Sequence, residues 1–124
     1  MTKQEFLNGY LEAEWELEEI KRARRKLHEK IDAMDGYSES DKREKSRKKL
    51  CALDDKWDEL ECRAQRKKLQ VHKAICALKD DRQRKVLYAW YIEGLKAHEI
   101  SRKLHYAVNH IHALHRLGVK NVRM

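Results

Sequence analysis

Between Phe6 and Met34 the apolar residues recur at alternating steps of four and three. Phe6, Tyr10, Ala13, Leu17, Ile20, Leu27, Ile31 and Met34 form the series, and Arg24 is its polar break. Such a seam fits a helix that buries one narrow stripe against another helix. The chain has no proline to interrupt it. The spacing predicts a helix of about 32 residues, about 48 Å long at 1.5 Å per residue. It should stop near Asp35-Gly36, because glycine is the usual residue just past a helix end. The alternation then returns in Leu50, Leu53, Trp57, Leu60, Ala64, Lys67, Val71, Ala74 and Leu78. This second helix should begin between Ser38 and Ser46. Ser38-Glu39-Ser40-Asp41 resembles a capping box with Asp in place of the usual Glu. A short connection between two such helices implies an antiparallel coiled-coil hairpin.

Cys62, Leu69 and Cys76 recur every seven residues beside the main seam of the second helix, and Ile75 joins them. That extra face needs cover, either from the C-terminal half or from another copy of the chain. A homodimer forming a four-helix bundle is the expected arrangement. Leu17, Ile20, Trp57, Leu60, Leu69 and Ile75 are the candidate oligomer or partner face. The cysteines there read as small buried hydrophobes. Cys51, Cys62 and Cys76 are an odd number without a CxxC spacing. They support neither a disulfide framework nor a familiar zinc site, and they fit a reducing cytoplasm. The charged flanks of both helices read as solvated faces. No apolar run approaches the roughly 18 residues of a membrane span. Met1-Thr2-Lys3-Gln4-Glu5 lacks the apolar centre of a secretory signal, so a cytoplasmic protein without membrane contact is expected.

Charge is unevenly distributed. Residues 1–73 carry nineteen basic and seventeen acidic side chains, whereas residues 74–124 carry ten and four. From Ser101 onward there are five basic residues and four histidines, and no acid. One-signed charge at one end of a chain is the electrostatic footprint of a polyanion-binding module.

The heptads end at about Asp80, which divides the chain into residues 1–78, a helical hairpin for dimerisation or partner binding, and residues 79–124. Asp80 or Asp81 caps a helix over roughly Arg82 to Glu93, with Val86, Leu87, Trp90 and Tyr91 inward, and Gly94 closes it. A short helix from about Ala97 to Leu104 offers Ile100 and Leu104 at i and i+4. After a turn at His105-Tyr106, a third helix runs from about Ala107. This is a helix-turn-helix pattern with a preceding support helix. At 100° per residue, Val108, Ile111, Leu114, Gly118, Val119 and Val122 fall together as the core face. Asn109, His112, Arg116, Lys120 and Arg123 fall opposite, as one polar and cationic stripe.

The stretch from Leu78 to His115 resembles region four of bacterial sigma factors. Its most specific pieces are Glu99-Ile100-Ser101 and Tyr106 followed by His110-Ile111-His112-Ala113-Leu114-His115. The stretch that carries the resemblance is 38 residues long. It is closest to small phage and prophage proteins that join a coiled-coil half to such a module, similar in organisation to phage late-transcription activators. Lys96 and Ala107 stand where that family usually has Ser or Thr helix caps, and Trp90 stands where an arginine often precedes the tyrosine. The resemblance implies an all-α fold: an antiparallel coiled-coil helical hairpin followed by a sigma-region-four-like helix-turn-helix. It implies a sequence-specific, double-stranded-DNA-binding transcriptional regulator of phage origin acting in a bacterial host cell, with RNA polymerase or another host protein as a further partner.

In that arrangement the third helix enters the major groove. Asn109 would pair with adenine and Arg116 would donate two hydrogen bonds to guanine, with His110 and His112 as further base or phosphate contacts. Arg102, Lys103, Lys120 and Arg123 are phosphate clamps, which position without specifying. About five neutralised phosphates imply a salt slope near −4 to −5. His110, His112 and His115 do not share one side of a helix and lack a local cysteine, so they read as helix-surface and groove-edge residues, and no metal or other cofactor is expected. His98-Glu99 lacks the second histidine of a zinc-protease motif, and no glycine-rich phosphate loop or nucleophile motif is present. No catalytic residue is assigned and no enzyme is expected. Rival readings are a phage protein that binds and inhibits a host protein or nucleic-acid machine, and a DNA-packaging component like a small terminase.

Overall fold

The computed structural model describes residues 1–33 and 40–123, and every regular element among them is a helix: α1 (Lys3–Asp32), α2 (Ser40–Cys76), α3 (Asp81–Tyr91), α4 (Ala97–Leu104) and α5 (Val108–Asn121). None of these helices is long and apolar enough to cross a membrane. The expected stop at Asp35-Gly36 and the side chains of the Ser38 to Asp41 box lie outside the described residues. The chain forms two compact units: Ala13–Ala64, and Met1–Glu12 together with Gln65–Met124. The outer ends of the two long helices therefore belong to the same unit as α3, α4 and α5.

In the first unit, α1 and α2 bury Ala13, Leu17, Leu60 and Ala64. Arg63 pairs with Glu16 at 3.7 Å, and Arg24 pairs with Asp54. Residue numbers rise along one helix as they fall along the other, so the segments run antiparallel. The polar break at Arg24 has a local cause. Its guanidinium bonds the Asp54 carboxylate and lies 5.2 Å from the centre of the Trp57 ring, so the charge is matched while its stem is covered. Leu17 and Leu60 are thus spent on the chain's own interior, and Ile20 and Trp57 are half-buried there.

The second unit has two apolar clusters. Leu7, Val71, Ile75, Leu78, Leu87, Tyr91, Ile92 and Val122 form one; Val86, Ala89, Ile100, Ile111 and Leu114 form the other, and Trp90 packs against both. The polar seam position Lys67 is again explained locally. Its side chain runs 3.3 Å from where a Cβ on Gly9 would stand, so the missing side chain at Gly9 leaves room for the lysine stem. Ile75 is interior, but Leu69 is 69% exposed. Cys62 and Cys76, expected as buried hydrophobes, are exposed, as is Cys51. Leu60, Ala64, Val71 and Ile75 take the inward positions on α2, which turns the Cys62, Leu69 and Cys76 stripe outward.

Candidate nucleic-acid interface

Each short helix is set by its ends. Asp80 caps α3 as expected: its carboxylate accepts from the backbone N–H of Arg82 at 2.8 Å and of Gln83 at 3.3 Å. Arg84 reaches back to donate to the carbonyl of Leu78 at 2.6 Å, which ties α3 to the end of α2. The helix ends at Tyr91, two residues short of the expected Glu93. The N–H groups of Ile92 and Glu93 both donate to the Tyr88 carbonyl, and Gly94 turns away at φ +71°. Helix α4 spans the residues expected of it. Lys96 supplies no side-chain cap, and the Glu99 carboxylate accepts from the Lys96 N–H at 3.2 Å instead. The turn into α5 uses His105 in the left-handed region, at φ 61°, and Ser101 Oγ donates to the Tyr106 carbonyl across it. Ala107 supplies no side-chain cap to α5.

Helix α5 packs on both α3 and α4 and buries Ile111, Leu114, His115 and Gly118. Gly118 permits that approach, because a Cβ there would lie 2.9 Å from Leu87 Cγ. Asn109, His110, His112, Arg116 and Lys120 are all exposed. The expected outward stripe is therefore solvent-facing along the helix. Arg123 is exposed too, but it lies past the helix end, because Val122 is already extended. Among the described residues no carboxylate pairs with Arg102, Arg116, Lys120 or Arg123. Lys103 differs: it is held by Glu93 at 2.6 Å, so it does not share the freedom of the other proposed clamps.

Two residues of α5 depart from expectation. Val108, assigned to the core face, is 40% exposed, because it opens the helix one turn before Ile111, the first α5 residue packed into the interior. His115, read as a surface residue, is 8% exposed. Its Nε2 lies 2.6 Å from the Tyr91 hydroxyl, and its ring stacks on Trp90 with centroids 4.0 Å apart and planes 17° from parallel. Burial, with the nearby His112 charge adding to it, holds the His115 imidazole below its ordinary value. Burial also raises the Tyr91 phenol, which stays protonated at neutral pH. The overlooked signal was spacing: His115 follows Ile111 by four residues and so shares its side of the helix.

His110 and His112 each touch one aromatic edge while remaining exposed. His110 meets Tyr106 with centroids 5.2 Å apart, and His112 meets Trp90 at 6.0 Å. No group of three or more His, Cys, Asp or Glu side chains among the described residues is arranged to hold a metal ion. The chain matches no protein-family model, no curated protein and no solved structure.

Proposed function

We propose that the protein is a sequence-specific DNA-binding regulator of transcription. In this reading α4 and α5 are a helix-turn-helix with α3 as support, resembling region four of sigma factors, and α1 and α2 are a coiled-coil hairpin that offers contacts to RNA polymerase or another protein. A phage origin rests on the sequence resemblance alone. The observation that carries the function is the division of α5 into two faces. Its apolar side is consumed by α3 and α4, while Asn109, His112, Arg116 and Lys120 stay exposed, with no carboxylate among the described residues paired to either cation. A helix presented in this way fits the major groove with its side chains free to meet base edges. The first turn of α5, without a side-chain cap and with no acid, is also favourable to a backbone phosphate, since its N–H groups and the helix dipole attract negative charge.

Arg116 and Asn109 are the base readers in this account, with His110 and His112 beside them. Lys120, Arg102 and Arg123 are the phosphate contacts. Lys103 contributes only if it leaves Glu93. Selection of bound duplexes from a random pool tests the proposal. Enrichment of a defined motif supports it, and a retained pool as random as the input overturns it.

A further inference from the structure

Leu78 and Val122 are buried, and they fix the chain just after α2 and just after α5. Between these two places lies a cavity of about 640 Å³. Four cations line it from separate stretches of one compact unit. Lys3 comes from the start of α1, Lys79 from the connection of α2 to α3, Lys120 from the last turn of α5, and Arg123 from just beyond it. Asn121 Nδ2 donates to Gln83 Oε1 at 3.1 Å, which ties the end of α5 to α3 across the cavity wall.

The charges in this cavity are not matched. Among the described residues Asp80 alone supplies an acid to its lining. That carboxylate already accepts from the N–H groups of Arg82 and Gln83 and lies 3.8 Å from the Arg82 guanidinium. Lys3 donates to the Lys120 carbonyl at 2.6 Å, where it meets the negative end of the α5 dipole. Lys79, Lys120 and Arg123 are exposed, and among the described residues no carboxylate pairs with them. Other cations of the same unit differ. Arg84 and Lys85 share Asp81 at 3.1 Å each, and Lys103 is held by Glu93. Unpaired cations gathered around one hollow repel one another, and an anion seated between them removes that repulsion.

We propose that this cavity binds a small oligophosphate, an anion with several neighbouring phosphate groups such as the tail of a nucleoside triphosphate. Cations on different walls favour an anion with many acceptor oxygens over a single carboxylate. The Arg123 guanidinium suits two hydrogen bonds to one phosphate, and the lysines act as point charges beside it. The volume lies within the roughly 300–1,000 Å³ of small-molecule sites. Ala74 and Ala77 add an apolar wall for whatever the phosphates are attached to. A hollow suits a small anion better than the convex surface of a duplex. Lys120 and Arg123 are also phosphate contacts in the DNA reading. The cavity does not rest on that reading, because Lys3 and Lys79 lie outside the helix-turn-helix.

Isothermal titration of the full chain with sodium tripolyphosphate tests the proposal, at about 50 mM salt to limit screening, with helicity checked by circular dichroism. The expected result is saturable, equimolar binding with a Kd below about 100 µM. Sulfate, with fewer charges and oxygens, should bind about tenfold more weakly or worse. Lys79→Ala and Arg123→Ala should each raise the tripolyphosphate Kd by about fivefold with helicity unchanged, since both side chains are exposed. Lys26→Ala removes the same charge from an exposed position in the other compact unit and should leave Kd as it was. Lys79 stands off α5, so its effect is read whether or not the chain selects a DNA motif. No saturation up to about 1 mM, sulfate binding as tightly as tripolyphosphate, or a loss on Lys26→Ala equal to that on Lys79→Ala would each overturn the proposal.

Discussion

Tyr91 and His115 meet between α3 and α5, with the phenol oxygen 2.6 Å from the imidazole Nε2. Both side chains are buried, and Trp90 covers the imidazole from one side. The pair fixes the rotation of α5 about its axis. With His115 held inward, His112 and Arg116 are turned outward.

Tyr91→Phe keeps the ring and removes the hydroxyl. The imidazole then loses its partner in a site with little access to water. The expected loss is about 1–3 kcal/mol of unfolding free energy, read from urea denaturation. No change in the midpoint would show that the hydrogen bond contributes nothing net.

Acid should weaken the fold through the same residue. The folded chain holds His115 below its ordinary value of 6.5, so it refuses a proton that the unfolded chain accepts. The stabilisation is complete above about pH 6.5 and is lost as pH falls from there toward the folded value. Thermal melts from about pH 7.5 down to pH 5.5 should show Tm declining, and His115→Gln should flatten that dependence.

Gly118→Ala sets two effects against each other. Alanine favours helix by up to about 1 kcal/mol. Its Cβ, however, would stand 2.9 Å from Leu87 Cγ, at a buried branch point that has nowhere to go. Overpacking of this kind costs about 1–3 kcal/mol. The expected net result is destabilisation of about 1 kcal/mol or more by urea denaturation. A gain in stability would show that Leu87 repacks freely.

His105→Gly should act the other way. His105 holds φ 61°, where a side chain is strained and glycine is not. The substitution is expected to raise stability by about 0.5–1 kcal/mol, unless the freer unfolded chain offsets it. A measured loss would mean that the imidazole makes a compensating contact or that the freer unfolded chain outweighs the relieved strain.

Periodicity within one helix exposed much of this molecule before any coordinates. The heptads of α1 and α2 marked Leu17, Leu60, Ala64 and Val71 as inward, and Ile100 with Leu104 marked α4. The outward stripe of α5 was equally plain, because cations avoid burial. What escaped depended on a second helix. Nothing in the α5 sequence says that Tyr91 stands ready to satisfy a buried imidazole at His115, or that Leu87 fills the space left by Gly118. Arg24 looked like a flaw in the seam until Asp54 and Trp57 faced it. The exposure of Cys62, Leu69 and Cys76 followed from which side of α2 the interior claimed, a choice that two neighbouring apolar stripes left open.

Comparative DNA binding by Arg116→Ala and Lys120→Ala tests the central claim most directly, using the duplex selected from a random pool and a scrambled duplex at fixed salt. The account predicts that Arg116→Ala costs about 1–3 kcal/mol on the selected duplex and little on the scrambled one, whereas Lys120→Ala weakens both alike and reduces the salt slope by about one. Equal loss on both duplexes for Arg116→Ala, or no loss at all, would contradict the assignment of the exposed face of α5 as the surface that reads sequence.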